Sequence, residues 1–328
     1  MIRPLPDPRA PLPRDAADDA FARILDGDVD DAVLAAFLST LADRGETVEE
    51  VTAAARALRA RMSNRLEASD AIDVCGTGGD GQHSLNISTA VSLVVAACGV
   101  PVAKHGNRAA SSSSGAADVL AALGVPELPL DRLEPCLRTV GITFLHAARH
   151  HPAMARVAPV RRALGRRTIF NLLGPLANPA GVRRQLVGVF APSALRLMAG
   201  ALAELGSEAA LVVHGDGFDE LAVSGPSNAM RLHDSTLISL TIRPQDAGVG
   251  THPKAALAGG SPAENAAALE RLLGGETGAY HDVVVLNAAA ALGVADERLS
   301  LIEAAARARA ALSSGAAAAT LARWKAFR

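Results

Sequence analysis

Aromatic residues and cysteines are scarce in this chain of 328 residues. Aromatic side chains make up 3% of it, so a surface of stacked rings that binds nucleic-acid bases is not expected. The three cysteines, Cys75, Cys98 and Cys136, lack the spacing of a metal or redox motif. We therefore interpret them as ordinary thiols of a reducing compartment.

A strong net charge and a long apolar run are also absent. The net charge is −2, and no block of basic residues favours nucleic-acid binding. The longest apolar run, residues 91–103, is too short to cross a bilayer and is interrupted by Gly99 and Pro101. Residues 1–14 are rich in proline, lack an apolar signal core and are predicted to form a disordered tail. We expect a cytosolic protein that binds neither nucleic acid nor a membrane.

Residues 15–69 have a helical pattern throughout and are predicted to form a small N-terminal domain. Thr47 and Glu50 have the spacing of a capping box, and Gly45 can end the preceding helix. The apolar positions of that preceding helix recur on one face, namely Val33, Leu34, Phe37, Leu38 and Leu41. So small a unit cannot bury this face alone, so it must pack against the rest of the chain or a second copy.

Strand and helix patterns alternate over residues 70–328, which predicts an α/β domain with a mostly parallel central sheet. The predicted helices include Thr89–Cys98, Ala116–Leu123 and Leu195–Leu205. Ligands of such sheets bind beyond the carboxyl ends of the strands. The predicted strands are Ile72–Cys75, Val100–Lys104, Ile142–Leu145, Gln185–Phe190, Ala209–His214 and Asp282–Leu286.

Two polar elements follow the first strand. Residues 76–80 read GTGGD, and three glycines in five residues let backbone amides converge on an anion. A plain turn is the alternative, and neither a P-loop nor a dinucleotide motif fits. Residues 86–89, NIST, open the next helix. Their side chains can act as helix caps or as phosphate ligands, and Ser88 can also reach a magnesium ion.

Later loops carry charged groups. Lys104 ends the second strand before a serine-rich helix entry, where it can neutralise pyrophosphate, although such a loop can also be simply solvated. Asp219 and Glu220 follow a strand and suit magnesium, although an Asp-Glu pair is more often surface. Among the arginines of residues 161–167, one can bind a substrate carboxylate, whereas the others form a basic helix face.

Taken in order, the motifs resemble those of the anthranilate phosphoribosyltransferases. They are GTGGD at 76–80, NIST at 86–89, KHGNR at 104–108, HHPAM at 150–154, RTIFNLLGPLANP at 167–179 and HGDGFDE at 214–220. The resemblance implies the fold shared with pyrimidine nucleoside phosphorylases, with the site at the hinge between the two domains. It also implies a homodimer formed through the helical domain, and transfer of a phosphoribosyl group from phosphoribosyl pyrophosphate to the amino group of anthranilate.

The family's site residues carry over by position. The family's catalytic positions correspond to Lys104 and Arg161. Its magnesium ligands correspond to Ser88, Asp219 and Glu220, with two ions expected per subunit. The anthranilate positions are Gly76, His105, Asn107, His151 and Arg161. The phosphoribosyl pyrophosphate positions are Gly76, Gly79, Asp80, Ser84, Asn86, Ile87, Ser88, Thr89, Lys104, His105, Gly106, Asn107, Arg108, Ser111, Ser112 and Ala116.

Three positions depart from the family pattern. Ser84 replaces a threonine and keeps the hydroxyl, His146 stands where an aromatic residue is common, and Ala116 loses a hydroxyl. We assign no obligate general base to the implied reaction, because an aniline nitrogen need not lose a proton before it attacks. A nucleoside phosphorylase and a non-catalytic nucleic-acid-binding relative are the rival interpretations. The carboxylate pair and the anthranilate positions argue against the first, and the net charge against the second.

Overall fold

The computed structural model describes residues 4–108 and 114–328. Within them the helices are α1 (Arg14–Asp26), α2 (Asp31–Arg44), α3 (Val48–Ala60), α4 (Ile87–Ala97), α5 (Ala116–Ala122), α6 (Leu133–Val140), α7 (Ala147–His150), α8 (Met154–Leu164), α9 (Leu173–Leu176), α10 (Ala194–Glu204), α11 (Pro262–Leu273), α12 (Ala279–Ala295), α13 (Leu301–Ser313) and α14 (Ala316–Ala326). The predicted capping box of Thr47 and Glu50 is confirmed at the start of α3.

The strands form one mixed sheet in the order β3-β2-β1-β4-β5-β6-β7. The first five along the chain are mutually parallel, whereas β6 and β7 form an antiparallel hairpin on the edge beside β5. Their bounds are β1 (Ile72–Gly76), β2 (Val102–Gly106), β3 (Ile142–His146), β4 (Arg184–Gly188), β5 (Ala209–Gly215), β6 (Ser227–His233) and β7 (Thr236–Ile242). The α/β class and the mostly parallel sheet are confirmed, with the first five predicted strands within two residues of their observed bounds.

Each face of the sheet is covered by its own apolar core. Successive strand residues point to opposite faces, so Val74 and Leu186 belong to one core while Cys75 and Val187 belong to the other. Residues of α4 and α12 to α14 fill the first core. The second holds residues of α1 to α3, α8 and α10, so the apolar face of the N-terminal helices is buried largely against this chain itself.

The predicted strand Asp282–Leu286 is wrong. These residues lie inside α12, whose residues 283–292 are all buried. A helix that is apolar all round resembles a buried strand over a short window, and here its length of 17 residues decides in favour of the helix.

The N-terminal residues 4–13 differ from the predicted disordered tail, because they lie against α3. The backbone N–H of Leu12 donates to Glu50 at 2.9 Å, and Leu12 is buried. Glu50 also pairs with Arg44, which in turn donates to the carbonyl of Pro8. The division of the chain at residue 69 stays a prediction, since α8 and α10 share a core with α1 to α3. In the described part of the chain, none of the helices combines the length and apolarity needed to cross a bilayer.

Candidate active site

The carboxyl ends of the parallel strands lie along one edge of the sheet. Gly76 at the end of β1 pairs in register with Gly188 at the end of β4, and Gly106 of β2 pairs with His146 of β3. The polar motifs therefore follow strands that end side by side, as parallel topology requires.

The glycine-rich loop after β1 has a conformation that most other residues would resist. Gly78, Gly79 and Gly81 have φ angles of +65°, +72° and +73°. The N–H of Gly78 donates to the Asp219 carboxylate at 2.8 Å, and the carbonyl of Gly79 accepts from Arg167 at 2.8 Å. Hydrogen bonds to Asp219 and from Arg167 thus fix this loop to two other segments, which a plain turn would not need.

The segment that contains Asp219 lies directly across the ends of β1 and β4. A Cβ on Gly188 would overlap the backbone oxygen of Asp219, and one on Gly76 would come within 2.9 Å of the Asp219 Cγ. Only glycine at these two strand ends lets the carboxylate segment approach so closely. Asp80 of the glycine-rich loop accepts from the N–H of Asp219 at 3.4 Å.

The donor set formed by the carboxylates fits magnesium. Glu220 is buried, and Asp219 and Asp80 are half-buried beside it. Burial and the charge of Asp80 raise the pKa of Asp219 to about 7, and burial together with Asp219 raises the pKa of Glu220. Clustered buried carboxylates are stabilised in the charged form by a hard cation with oxygen ligands. Across residues 4–108 and 114–328 no three His, Cys, Asp or Glu side chains could hold a metal ion alone. Water and phosphate oxygens would therefore have to complete the shell.

The polar residues that open α4 are not used as a helix cap. Asn86 occupies the cap position but makes no side-chain capping bond, and its amide instead donates to the carbonyl of Ser114 at 3.3 Å. The hydroxyl of Thr89 is buried without a hydrogen-bond partner among the described residues. Of the two sequence interpretations, the capping one is therefore wrong for the side chain of Asn86.

Lys104 lies beneath the site rather than in an exposed loop. Only 2% of it is exposed, and its ammonium donates to the carbonyl of Val74 at 2.7 Å and to the hydroxyl of Ser88 at 3.1 Å. Burial lowers its pKa, an effect opposed by the charge of the fully buried Asp73. Lys104 thus contributes a buried positive charge behind Ser88.

His105 and His151 form a neutral pair behind this edge. Their ring centroids are 5.1 Å apart in an edge-to-face arrangement. Nδ1 of His105 lies 3.0 Å from the carbonyl of Gly174 and must donate to it, because a carbonyl only accepts. Burial lowers the pKa of His105 to about 3 and that of His151 to about 4, so both rings are uncharged at neutral pH.

Of the departures from the family pattern, His146 contacts Asn107, whereas Ala116 lies close to Gly106. His146 Nε2 lies 3.1 Å from the side-chain oxygen Oδ1 of Asn107, and Nδ1 of the same ring lies 3.4 Å from the Glu127 carboxylate. His146 therefore contacts a residue that the family resemblance predicts to bind the substrates. Ala116 begins α5, and its Cβ would lie 3.3 Å from a Cβ on Gly106. Ser111 and Ser112 lie outside the described residues.

Arg161 and Arg162 differ in environment although they are neighbours in α8. Arg161 is half-buried, with its guanidinium 5.9 Å from the ring centre of Phe170, and Arg162 is exposed. Burial lowers the pKa of Arg161, and no charged group of residues 4–108 or 114–328 opposes that effect. A half-buried guanidinium without a carboxylate is suited to a carboxylate ligand.

Several residues that hold the site were missed in the sequence. Asn178 donates to the buried Asp73 at 2.8 Å, and Asp73 accepts from the backbone N–H of His105. Asn287 of α12 exchanges two 2.9 Å bonds with the backbone of Leu221, beside the carboxylate pair. A lone asparagine in an apolar run is the only signal that could have found Asn287.

Two family models cover most of the chain. The glycosyl transferase family helical bundle domain matches residues 7–62, and the glycosyl transferase family α/β domain matches residues 68–318. The fold and the polar strand ends thus define a two-domain glycosyl transferase.

Relatives narrow the class. An anthranilate phosphoribosyltransferase of Novosphingobium aromaticivorans is 53% identical over 98% of both chains. The crystal structure of the enzyme of that name from Thermus thermophilus has a TM-score of 0.92 and 44% identity, with 97% of this chain and 96% of that chain covered. The Saccharomyces cerevisiae enzyme was solved in complex with PRPP (phosphoribosyl pyrophosphate) and Mg. Its structure has a TM-score of 0.86 and 26% sequence identity, with 95% of this chain and 92% of that chain covered. This chain belongs to the anthranilate phosphoribosyltransferase family.

Proposed function

We propose that this chain transfers the phosphoribosyl group of phosphoribosyl pyrophosphate to the amino group of anthranilate, releasing pyrophosphate, as a step of tryptophan biosynthesis. The observation that carries the proposal is the meeting of three elements at one edge of the sheet. They are the glycine-rich loop that bonds to Asp219 and Arg167, the start of α4 without a side-chain cap, and the carboxylate pair of half-buried Asp219 and buried Glu220. Loop amides and hydroxyls are phosphate ligands, and the carboxylates suit the magnesium that accompanies pyrophosphate.

The residues of the chain bind and orient the two substrates in this scheme. The glycine-rich loop and residues 86–89 bind the phosphoribosyl pyrophosphate. Lys104, buried behind Ser88, partly neutralises the negative charge of that substrate. Arg161 and Asn107 orient anthranilate so that its amino group faces the ribose. Ser88, Asp219 and Glu220 would hold magnesium, two ions per subunit, and the bound metal would supply positive charge opposite the pyrophosphate. The neutral histidine pair gives no group poised as a general base near pH 7, in keeping with attack by an uncharged aniline nitrogen.

The direct test is an assay with anthranilate, phosphoribosyl pyrophosphate and magnesium that follows the loss of anthranilate fluorescence. Turnover that requires all three is the expected result. Phosphorolysis of a pyrimidine nucleoside, without anthranilate consumption, would instead support the related phosphorylase activity and would overturn the proposal.

Replacing Arg161 by alanine tests the recognition of anthranilate. Two charge-assisted hydrogen bonds to the ortho carboxylate are lost, so KM for anthranilate is expected to rise about ten- to a hundredfold. KM for phosphoribosyl pyrophosphate should stay within about twofold, since its ligands lie elsewhere. Steady-state kinetics with each substrate varied in turn measures both constants.

Arg162→Ala is the matched control, because it removes an exposed guanidinium one residue away. It is expected to leave both constants close to those of the unmodified protein. An anthranilate defect in Arg162→Ala with none in Arg161→Ala would contradict the assignment.

We further infer a cytoplasmic homodimer that forms through the N-terminal helices. Val33 of α2 is 46% exposed, and it lines an apolar cavity of about 700 Å³ together with Leu5 and Val29. Such an exposed apolar surface favours contact with another protein surface. The apolar positions of α2 that face inward, such as Leu38, already pack within this chain.

Val33→Asp is expected to weaken the dimer at least about tenfold, because a charge would be buried in the contact. Sedimentation velocity over a concentration series measures this. Ile302→Asp makes the same change at a residue of α13 that is 50% exposed, and it should leave the dimer intact. Equal dimerisation of both variants would contradict this interface.

A further inference from the structure

Asn265 of α11 lies outside every motif, yet its side chain reaches into the candidate active site. The residue is 1% exposed, and its Nδ2 donates to Oδ1 of Asn86 at 2.8 Å. Its own Oδ1 accepts from the backbone N–H of Gly260, also at 2.8 Å. Asn265 thus joins α11 to the residue that opens α4.

These contacts determine which way both amide groups face. A backbone N–H can only donate, so the atom of Asn265 facing Gly260 must be oxygen and the other atom must be nitrogen. The nitrogen donates to Asn86, so the atom of Asn86 that faces Asn265 must be oxygen. The Ser114 hydroxyl donates to the same oxygen at 3.2 Å. Asn86 is therefore left with its NH₂ group directed away from α11.

The backbone of Asn86 is held from a second helix. The hydroxyl of Tyr280, in α12, donates to the carbonyl of Asn86 at 3.3 Å. The side chain makes no helix-capping bond, so its amide is not used to begin α4. Among the described residues the NH₂ group donates only to the carbonyl of Ser114, at 3.3 Å, so one of its two hydrogens is left for a ligand.

We propose that Asn265 is a positioning residue that fixes the amide of Asn86 with its NH₂ group toward phosphoribosyl pyrophosphate. The inference rests on the proposed function, which puts Asn86 among the ligands of that substrate. Without this contact the side-chain amide of Asn86 could rotate by half a turn and direct its oxygen at a phosphate. The amide oxygen and the phosphate oxygens would then repel each other. Asn265 prevents this by occupying the oxygen of Asn86.

The test uses Asn265→Asp, which keeps the size of the side chain and the acceptor for Gly260. At pH 8.5, well above the ordinary carboxyl pKa of about 4, its second oxygen faces the Asn86 oxygen and repels it. The Asn86 amide then turns over, and KM for phosphoribosyl pyrophosphate is expected to rise at least about tenfold. KM for anthranilate should stay within about twofold. Asn228→Asp adds the same charge at an exposed position of β6 and should change neither constant.

A double-mutant cycle separates positioning from a general structural role. If Asn265 acts through Asn86, adding Asn265→Asp to Asn86→Ala raises KM for phosphoribosyl pyrophosphate no further. Multiplying effects would overturn the inference. An unchanged KM in Asn86→Ala alone would also overturn it, while turnover by the unmodified protein tests the proposed function separately. Should Asn265→Asp fail to fold, Asn265→Ala enters the same cycle with the same two outcomes.

Discussion

The double variant Asp219→Asn, Glu220→Gln is expected to lose turnover by at least about a hundredfold, because charge on the departing pyrophosphate is then left without the metal that opposes it. Magnesium-dependent binding of phosphoribosyl pyrophosphate, followed by calorimetry, should be lost in parallel. The fold should survive. Burial raises the pKa of both carboxyls, helped by the charge of Asp80 at Asp219 and by that of Asp219 at Glu220. Neutral amides therefore remove an unfavourable interaction, and the melting temperature should not fall.

Asp216→Asn is the control for this variant. Asp216 lies in the same loop, is exposed and accepts from the Ser224 hydroxyl at 2.6 Å. Its amide variant should keep both turnover and magnesium dependence. If the double variant were as active as the unmodified protein at limiting magnesium, the metal assignment would be wrong.

Gly188→Ala is expected to reduce kcat about a hundredfold, although Gly188 belongs to no sequence motif and needs to contact neither substrate. The added Cβ would overlap the backbone oxygen of Asp219, so the carboxylate segment must move away from the ends of β1 and β4. A displacement of about 1 Å in a positioning segment is sufficient for such a loss. The melting temperature should also fall, since backbone rather than a flexible side chain must give way.

Gly293→Ala provides the comparison for that substitution. Gly293 lies in α12 with open space where its Cβ would be, so alanine there should favour the helix and leave kcat unchanged. Kinetics and thermal unfolding of both variants decide the matter. Normal kcat in Gly188→Ala would mean that the close approach of Asp219 to β4 is not needed for turnover.

The strands that the sequence predicted well are those whose signal is local. β1 to β5 are short apolar runs followed by polar or glycine-rich residues, and their parallel pairing follows from the helices between them. The hairpin of β6 and β7 was missed. Its turn residues Asp234 and Ser235 have φ angles of +42° and +64° but are not glycine, so the usual hairpin signal is absent.

The residues of the candidate site likewise divide into those that a short stretch of sequence identifies and those that it does not. Glycines, hydroxyls and carboxylates that follow strands were found because their chemistry is recognisable in a short window. Asn265, Asn287 and Gly188 were not found, because each acts on a segment far away in the sequence. Asn265 and Asn86, for example, are 179 residues apart.

By itself the sequence determined the α/β class, the family and the polar motifs that follow the strands, since these depend on residue type and local spacing. Only the tertiary structure decided that residues 283–292 form a buried helix, that Lys104 lies beneath Ser88, and that Asn86 is held from α11. The physical reason is that burial and hydrogen-bond partners are set by which segments pack together. Residues that only position other residues, such as Asn265, form no recognisable motif, so the sequence does not identify them.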